Sequence, residues 1–147
     1  MKRVMGLFAL VLLVAGGAAW LILGQGSETA EQTAMAVDSP YWSDDADRVV
    51  DVDGVSARVR VEGAEGAPVI VLVHGFSHSL ESWDGWAQDL SADYRVVRMD
   101  LPGHGLTGPD PQARYSVPQT VDFLAGLMDA LDIEQAHIGG NSLGGLV

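Results

Sequence analysis

The 147-residue sequence contains no cysteine, which excludes a disulfide framework, a thiolate zinc site and a cysteine nucleophile. Basic side chains are scarce. Eight Lys and Arg stand against 20 Asp and Glu, a net charge of −12. Lys2 and Arg3 both precede the first apolar run, so residues 4–147 carry 6 basic and 20 acidic side chains, or −14. Such a body is repelled by nucleic acid and by anionic lipid surfaces, so neither DNA or RNA binding nor peripheral membrane adsorption is expected. No motif calls for a metal or a cofactor. Hydrophobic residues make up 48%, ample for a core and too many for a disordered chain. The length leaves room for one domain at most once the first segment is set aside.

That first segment is an uncharged, mostly apolar run over residues 4–23, which is 20 residues or about 30 Å of helix, the thickness of a bilayer core. A cleaved signal peptide is the rival reading, with Gly16-Gly17-Ala18-Ala19 as a tolerable site. Cutting there would leave Trp20-Leu21-Ile22-Leu23 as an apolar new N-terminus, so an uncleaved transmembrane signal anchor is preferred. After Arg3 no basic residue occurs until Arg48. Residues 1–3 are therefore expected in the cytoplasm, with the remainder on the exported, periplasmic or extracellular side, or secreted if the signal is cleaved. Residues 24–47, rich in Gly, Ser, Thr, Ala and acids, read as a tether. Within it, Tyr41-Trp42 is expected to pack on the domain edge or at the membrane interface.

From Arg48 the pattern alternates: Val50, Val52, then Val55, Ala57, Val59 and Val61, with Asp53-Gly54 between, a strong hairpin signature. The unbroken run Val69-Ile70-Val71-Leu72-Val73 reads as a strand covered on both faces. Leu80, Trp83, Trp86, Ala87 and Leu90 follow at helical spacing and predict a helix with an aromatic inner face. Tyr94–Asp100 reads as the next strand. Ser116 is placed to cap a helix with Val121, Leu124, Met128 and Leu131 on one face. Ala136–Gly139 reads as the fifth strand. Strand, helix, strand, helix, strand implies right-handed crossovers and a parallel sheet, with ligands binding beyond the carboxyl ends of its strands. Loops 74–79, 100–105 and 140–145 meet there.

The last loop contains Gly140-Asn141-Ser142-Leu143-Gly144. A serine on a sharp strand-to-helix turn sits in a strained backbone conformation, and glycine two residues to either side lets the neighbouring backbones approach. Leu143 then offers its N–H at the start of a helix, where an oxyanion could be held. The pentamer alone is weak in a chain with 18 glycines.

Three motifs in register are more specific. His74-Gly75-Phe76 after one buried strand, Asp100-Leu101-Pro102-Gly103-His104-Gly105 after the next, and Gly140-Asn141-Ser142-Leu143-Gly144-Gly145 after the third resemble the α/β-hydrolase fold over residues 48–147. An anchor followed by such a domain resembles membrane-tethered bacterial hydrolases. The resemblance implies the sheet order 1-2-4-3-5-6-7-8, with Ser142 as nucleophile and the N–H groups of Phe76 and Leu143 as oxyanion hole. It also implies a small-molecule ester or related carbonyl substrate, attacked through an acyl-enzyme. Asn141 and Gly145 resemble the subgroup that cleaves carbon–carbon bonds, though both also occur in esterases. Serine rather than aspartate at 142 disfavours dehalogenases and epoxide hydrolases.

In this family the acid and the histidine follow the serine, yet no Asp, Glu or His occurs after Ser142. The 147 residues are therefore expected to be the N-terminal part of a longer chain, with an incomplete domain over 48–147 that is inactive by itself. His74 is expected to shape its turn, His78 to lie at the pocket mouth, and His104 to belong to a loop close enough to touch substrate. His74 and Gly75 are also expected to line that pocket. Asp100 is expected to brace its own loop. Two other classes stay open: a non-catalytic membrane-tethered binding module, and a glycine-loop phosphate or dinucleotide binder. The latter fits neither Gly-x-Gly-x-x-Gly nor a Lys-ending P-loop.

Overall fold

The computed structural model describes residues 38–147. The expected span at 4–23 and most of the expected tether lie outside the described residues. Among the described residues no helix is long and apolar enough to cross a membrane.

Five strands form one mixed sheet: β1 (Asp47–Val52), β2 (Val55–Glu62), β3 (Val69–Val73), β4 (Arg95–Met99) and β5 (His137–Gly140), in the spatial order β1-β2-β4-β3-β5. The expected crossover of the third and fourth strands is present. β1 and β2 form an antiparallel hairpin, and β2 pairs antiparallel with β4, whereas β3 pairs parallel with both β4 and β5. The hairpin turns at Asp53 (φ +50°) and Gly54 (φ +85°), the backbone of a two-residue turn that requires positive φ at both central positions. β1 begins one residue inside the segment read as tether. β5 lies one residue later than expected and forms the sheet's edge among the described residues, with Ile138 47% exposed.

Two helices sandwich the sheet. On one side, α1 (Asp84–Leu90) covers Leu72 and Val96 through Ala87, with Trp83 and Leu90 at its margin. On the other, α2 (Val117–Ala130) covers Val55, Ala57, Val59, Val71, Val73, Val97 and Met99. Full burial of the valines and the methionine stabilises the fold by about 1.5–3 kcal/mol each. Ser116 begins α2 as expected. The Gln119 side-chain oxygen accepts from the Ser116 N–H at 3.1 Å and from its hydroxyl at 2.7 Å, and Pro118 stands in the first turn.

Two helix faces differ from expectation. Residues Leu80–Trp83 form a 3₁₀ turn before α1 starts. The tighter winding advances the phase, so Leu80 and Ala87 are buried while Trp86 is 63% exposed. In α2 the buried stripe is Thr120, Phe123, Leu124 and Leu127, continued by Leu131. Thr120 and Leu127 centre it, and Val121, about 100–120° away from them around the helix, is 40% exposed.

The register decides where the motifs go. Val73 stands opposite both Met99 on β4 and Gly140 on β5. Three parallel strands thus end on one rung, and the loops beginning at His74, Asp100 and Asn141 leave the sheet at one level.

Candidate active site

At the end of β5, Asn141 is still extended (φ −117°, ψ 132°). Its N–H donates to the Val73 carbonyl at 3.2 Å. Ser142 then turns to φ +53°, a left-handed conformation that costs a non-glycine residue about 1–2 kcal/mol. The expected following helix is a 3₁₀ turn over Ser142–Gly145, closed by Gly144 N–H to Asn141 carbonyl at 2.9 Å and Leu146 N–H to Leu143 carbonyl at 3.0 Å. Ser142 is exposed at its apex.

Steric contacts explain the two glycines. A Cβ on Gly140 would run into the Gly144 carbonyl, and one on Gly144 would run into the Val73 carbonyl and approach the His74 carbonyl to 2.8 Å. Those are backbone atoms of the turn itself and of the end of β3, not the free ends of flexible side chains, so they cannot move aside. Gly75 lies against the turn as well, since a Cβ there would sit 3.2 Å from the Ser142 Cβ and 3.2 Å from the Asn141 carbonyl oxygen. The loop after β3 and the turn after β5 are therefore in direct contact.

His74 fastens the loop after β3 to the loop after β4. It is fully buried. Its Nε2 accepts the Leu101 N–H at 2.9 Å, and its Nδ1 lies 2.8 Å from the Gly75 carbonyl. Only a neutral imidazole with its proton on Nδ1 makes both bonds. Burial pushes its pKa below the usual histidine value, against the opposing pull of the Gly75 carbonyl and Asp100. The turn-shaping part expected of His74 matches this arrangement.

Asp100 is also fully buried. Its Oδ1 accepts the Leu80 N–H at 2.7 Å and its Oδ2 the Leu106 N–H at 2.8 Å. It braces its own loop, as expected, and the preceding one too. A side chain at Gly105 (φ +51°) would strike this carboxylate.

Phe76 and Leu143, expected to share one function, line one cavity. Its volume is about 320 Å³, and Leu101, Pro102, His104 and Tyr115 complete much of the wall. Phe76 is 70% exposed. His104 packs edge-on against the Phe76 ring at 5.6 Å between centroids, and its Nδ1 lies 3.1 Å from the Pro102 carbonyl. His78 is exposed, with Nδ1 2.9 Å from the Phe76 carbonyl. Of the four residues expected to line the pocket, His104 does, whereas His74 and Gly75 are buried behind the loop and His78 is held outward against the Phe76 carbonyl; Ser142 does not line this cavity either. His137, exposed on β5, packs its ring on Tyr94 at 6.3 Å.

Sequence reasoning missed Tyr115, whose hydroxyl accepts the Asp110 N–H at 2.9 Å and whose ring faces Gly103. An aromatic residue immediately before the Ser116 cap was the available sign. It also missed the buried arginines Arg58 and Arg98. Arg58 occupies a polar position of an alternating strand, which by pattern alone faces solvent, and Arg98 lies in β4, which is buried on both faces.

A family model described as the alpha/beta hydrolase fold matches residues 68–147. The dihydrolipoyllysine-residue acetyltransferase component of the acetoin cleaving system of Cupriavidus necator is 40% identical over 95 residues, 65% of this chain and 25% of that protein. The 2-hydroxy-6-oxo-2,4-heptadienoate hydrolase of Pseudomonas putida is 37% identical over 101 residues, 67% of this chain and 36% of that protein. Among solved structures, a bacterial membrane phospholipase A is 32% identical with a TM-score of 0.65, over 99% of this chain and 45% of that one. The chain spans between a quarter and just under half of the length of these relatives. With the sheet order, the three level loops and the family match in agreement, the chain belongs to the α/β-hydrolase fold family.

Proposed function

We propose that the protein is a serine hydrolase that cleaves an ester, or a related carbonyl bond including carbon–carbon, through an acyl-enzyme on Ser142. The observation that carries this reading is the Ser142 backbone, strained at φ +53° between two glycines that steric contact requires, with its side chain exposed at the carboxyl edge of the parallel strands. A hydroxyl so presented can attack a carbonyl carbon. A C–O bond forms, the carbonyl electrons move to oxygen, and the N–H groups of Phe76 and Leu143 receive that charge. Hydrogen-bond donors fixed in advance cost no reorganisation at the moment of reaction, and losing one costs about 100- to 1000-fold in rate. The bond to the leaving group then breaks as that group takes up a proton, and water releases the acyl chain. In this family the base that accepts the serine proton is a histidine; here His74, His78 and His104 each hold Nδ1 against a backbone carbonyl and His137 faces Tyr94.

The cavity beside Phe76 and Leu143, walled by Leu101, Pro102 and Tyr115, suits an apolar portion of a small-molecule substrate. The likeness to a membrane phospholipase A along nearly the whole chain favours an oxygen ester. Together with the apolar run and the basic residues before it, that likeness also supports a domain held at the membrane through residues 4–23 on the exported side. Incubating the full-length protein with a fluorophosphonate probe tests the assignment: Ser142 is labelled, and Ser142→Ala abolishes labelling and ester hydrolysis. Absent labelling, or a Ser142→Ala variant that hydrolyses like wild type, overturns it.

A further inference from the structure

Outside the proposed site, the densest group of charges lies on the sheet face opposite α2. Arg58 of β2 is 1% exposed. Its Nε and Nη2 donate to Asp47 Oδ2 at 2.9 and 2.8 Å, and its Nη2 also contacts the Tyr41 carbonyl. On the other side, Nη2 pairs with Glu81 Oε1 at 2.7 Å and Nη1 with Asp100 Oδ2 at 3.2 Å. Its backbone N–H donates to Thr107 Oγ1 at 2.8 Å, and its carbonyl accepts the Asp100 N–H at 3.0 Å. One guanidinium thus touches three separate pieces of chain: residues 41–47, the 3₁₀ turn that ends the loop after β3, and the loop after β4. Arg60 adds a second hold on the first piece, with Nε 2.5 Å from Asp47 Oδ1 and Nη2 3.1 Å from the Tyr41 carbonyl.

One of these pieces leads to Ser142 through Gly75, and another walls a cavity with Leu143. Asp100 also receives the Leu80 and Leu106 N–H groups. Leu80 closes the loop holding Phe76 and Gly75, and Gly75 abuts Ser142. A planar fork with fixed donors sets the orientation of its carboxylates in a way that a flexible ammonium does not. We propose that Arg58 is a positioning residue that carries the hold of residues 41–47 into the loop abutting Ser142 and the loop walling the cavity with Leu143, making this segment part of the catalytic unit. The inference rests on the serine-hydrolase reading.

The test uses the full-length enzyme with a p-nitrophenyl ester, comparing wild type with Arg58→Lys, Asp47→Asn and Glu81→Gln. Sites are counted by fluorophosphonate titration, so that kcat refers to folded, reactive enzyme. Displacing the Phe76 loop by a fraction of an ångström lowers kcat per titrated site by about 10-fold or more in Arg58→Lys and about 3-fold in the other two. KM stays within about twofold, because the affected contact belongs to the transition state. A merely structural part would lower the melting temperature while leaving kcat per site at the wild-type value, and that result overturns the inference. If Arg58→Lys does not fold, Glu81→Gln decides by the same criterion, since its side chain is 27% exposed and neutralising it spares the core. A wild-type enzyme that neither labels nor hydrolyses sinks both this inference and the function it rests on, whereas normal turnover in the variants sinks only this one.

Discussion

Strain at Ser142 makes a prediction that separates backbone from chemistry. At φ +53°, an alanine carries the same clash between Cβ and the following carbonyl as serine, about 1–2 kcal/mol. Glycine escapes that penalty but gives the unfolded chain more freedom, which offsets about 0.4–1 kcal/mol. Ser142 is exposed, so removing its hydroxyl leaves no buried cavity. Ser142→Gly is therefore expected to be more stable than Ser142→Ala by about 1 kcal/mol, and at least as stable as wild type. Both variants are expected to lack activity. Urea unfolding of the full-length protein, read by tryptophan fluorescence and circular dichroism, measures the difference, which corresponds to about 2–4 °C in melting temperature for a domain of 150–250 residues. The comparison between two inactive variants removes any contribution from the reaction. Equal stability, or an alanine variant more stable than the glycine one, would refute the claim that this turn holds its serine under strain.

Gly144→Ala pushes a methyl group into the Val73 carbonyl at the end of a central strand. It is expected to destabilise by about 3 kcal/mol or more, the upper range for overpacking, and to abolish probe labelling. A folded Gly144→Ala with wild-type stability would show that the turn can relax. Stability is also expected to fall with acid in two windows. Burial holds His74 below its ordinary value, so below about pH 6.5 the unfolded chain binds more protons than the folded one and stability is lost as pH drops. For Asp47, burial alone would raise the pKa, but hydrogen bonds from Arg60, the Ser43 N–H and Arg58 outweigh it and hold the carboxyl low. Its contribution is present above about pH 3.9 and disappears as pH falls through the folded value. Denaturant midpoints measured across pH check both, with His74→Asn removing the upper window and Asp47→Asn the lower. A pH profile unchanged by these substitutions contradicts the assignments.

The elements legible in the sequence are those set by neighbours along the chain. Asp53-Gly54 between alternating valines can turn back only through positive φ, and the structure has it there. Ser116 and Gln119 begin a helix through bonds made three residues apart. The spacing of Gly140, Ser142 and Gly144 follows from contacts within one turn, together with the Val73 and His74 carbonyls behind it. Trp86 escaped because a 3₁₀ turn upstream altered the phase of its helix, a matter of winding that spacing does not record.

What only the tertiary structure decided is the meeting of distant pieces. The shared rung of Val73, Met99 and Gly140 brings Phe76 and Leu143 to one cavity although 67 positions separate them. Arg58 has the period and polarity of a residue facing water, and it is buried because Asp47, Glu81 and Asp100 close around it. Periodicity tells which side of a strand a residue occupies. It cannot tell whether water or a carboxylate waits there, because that depends on which chain segment the folded sheet draws over that side.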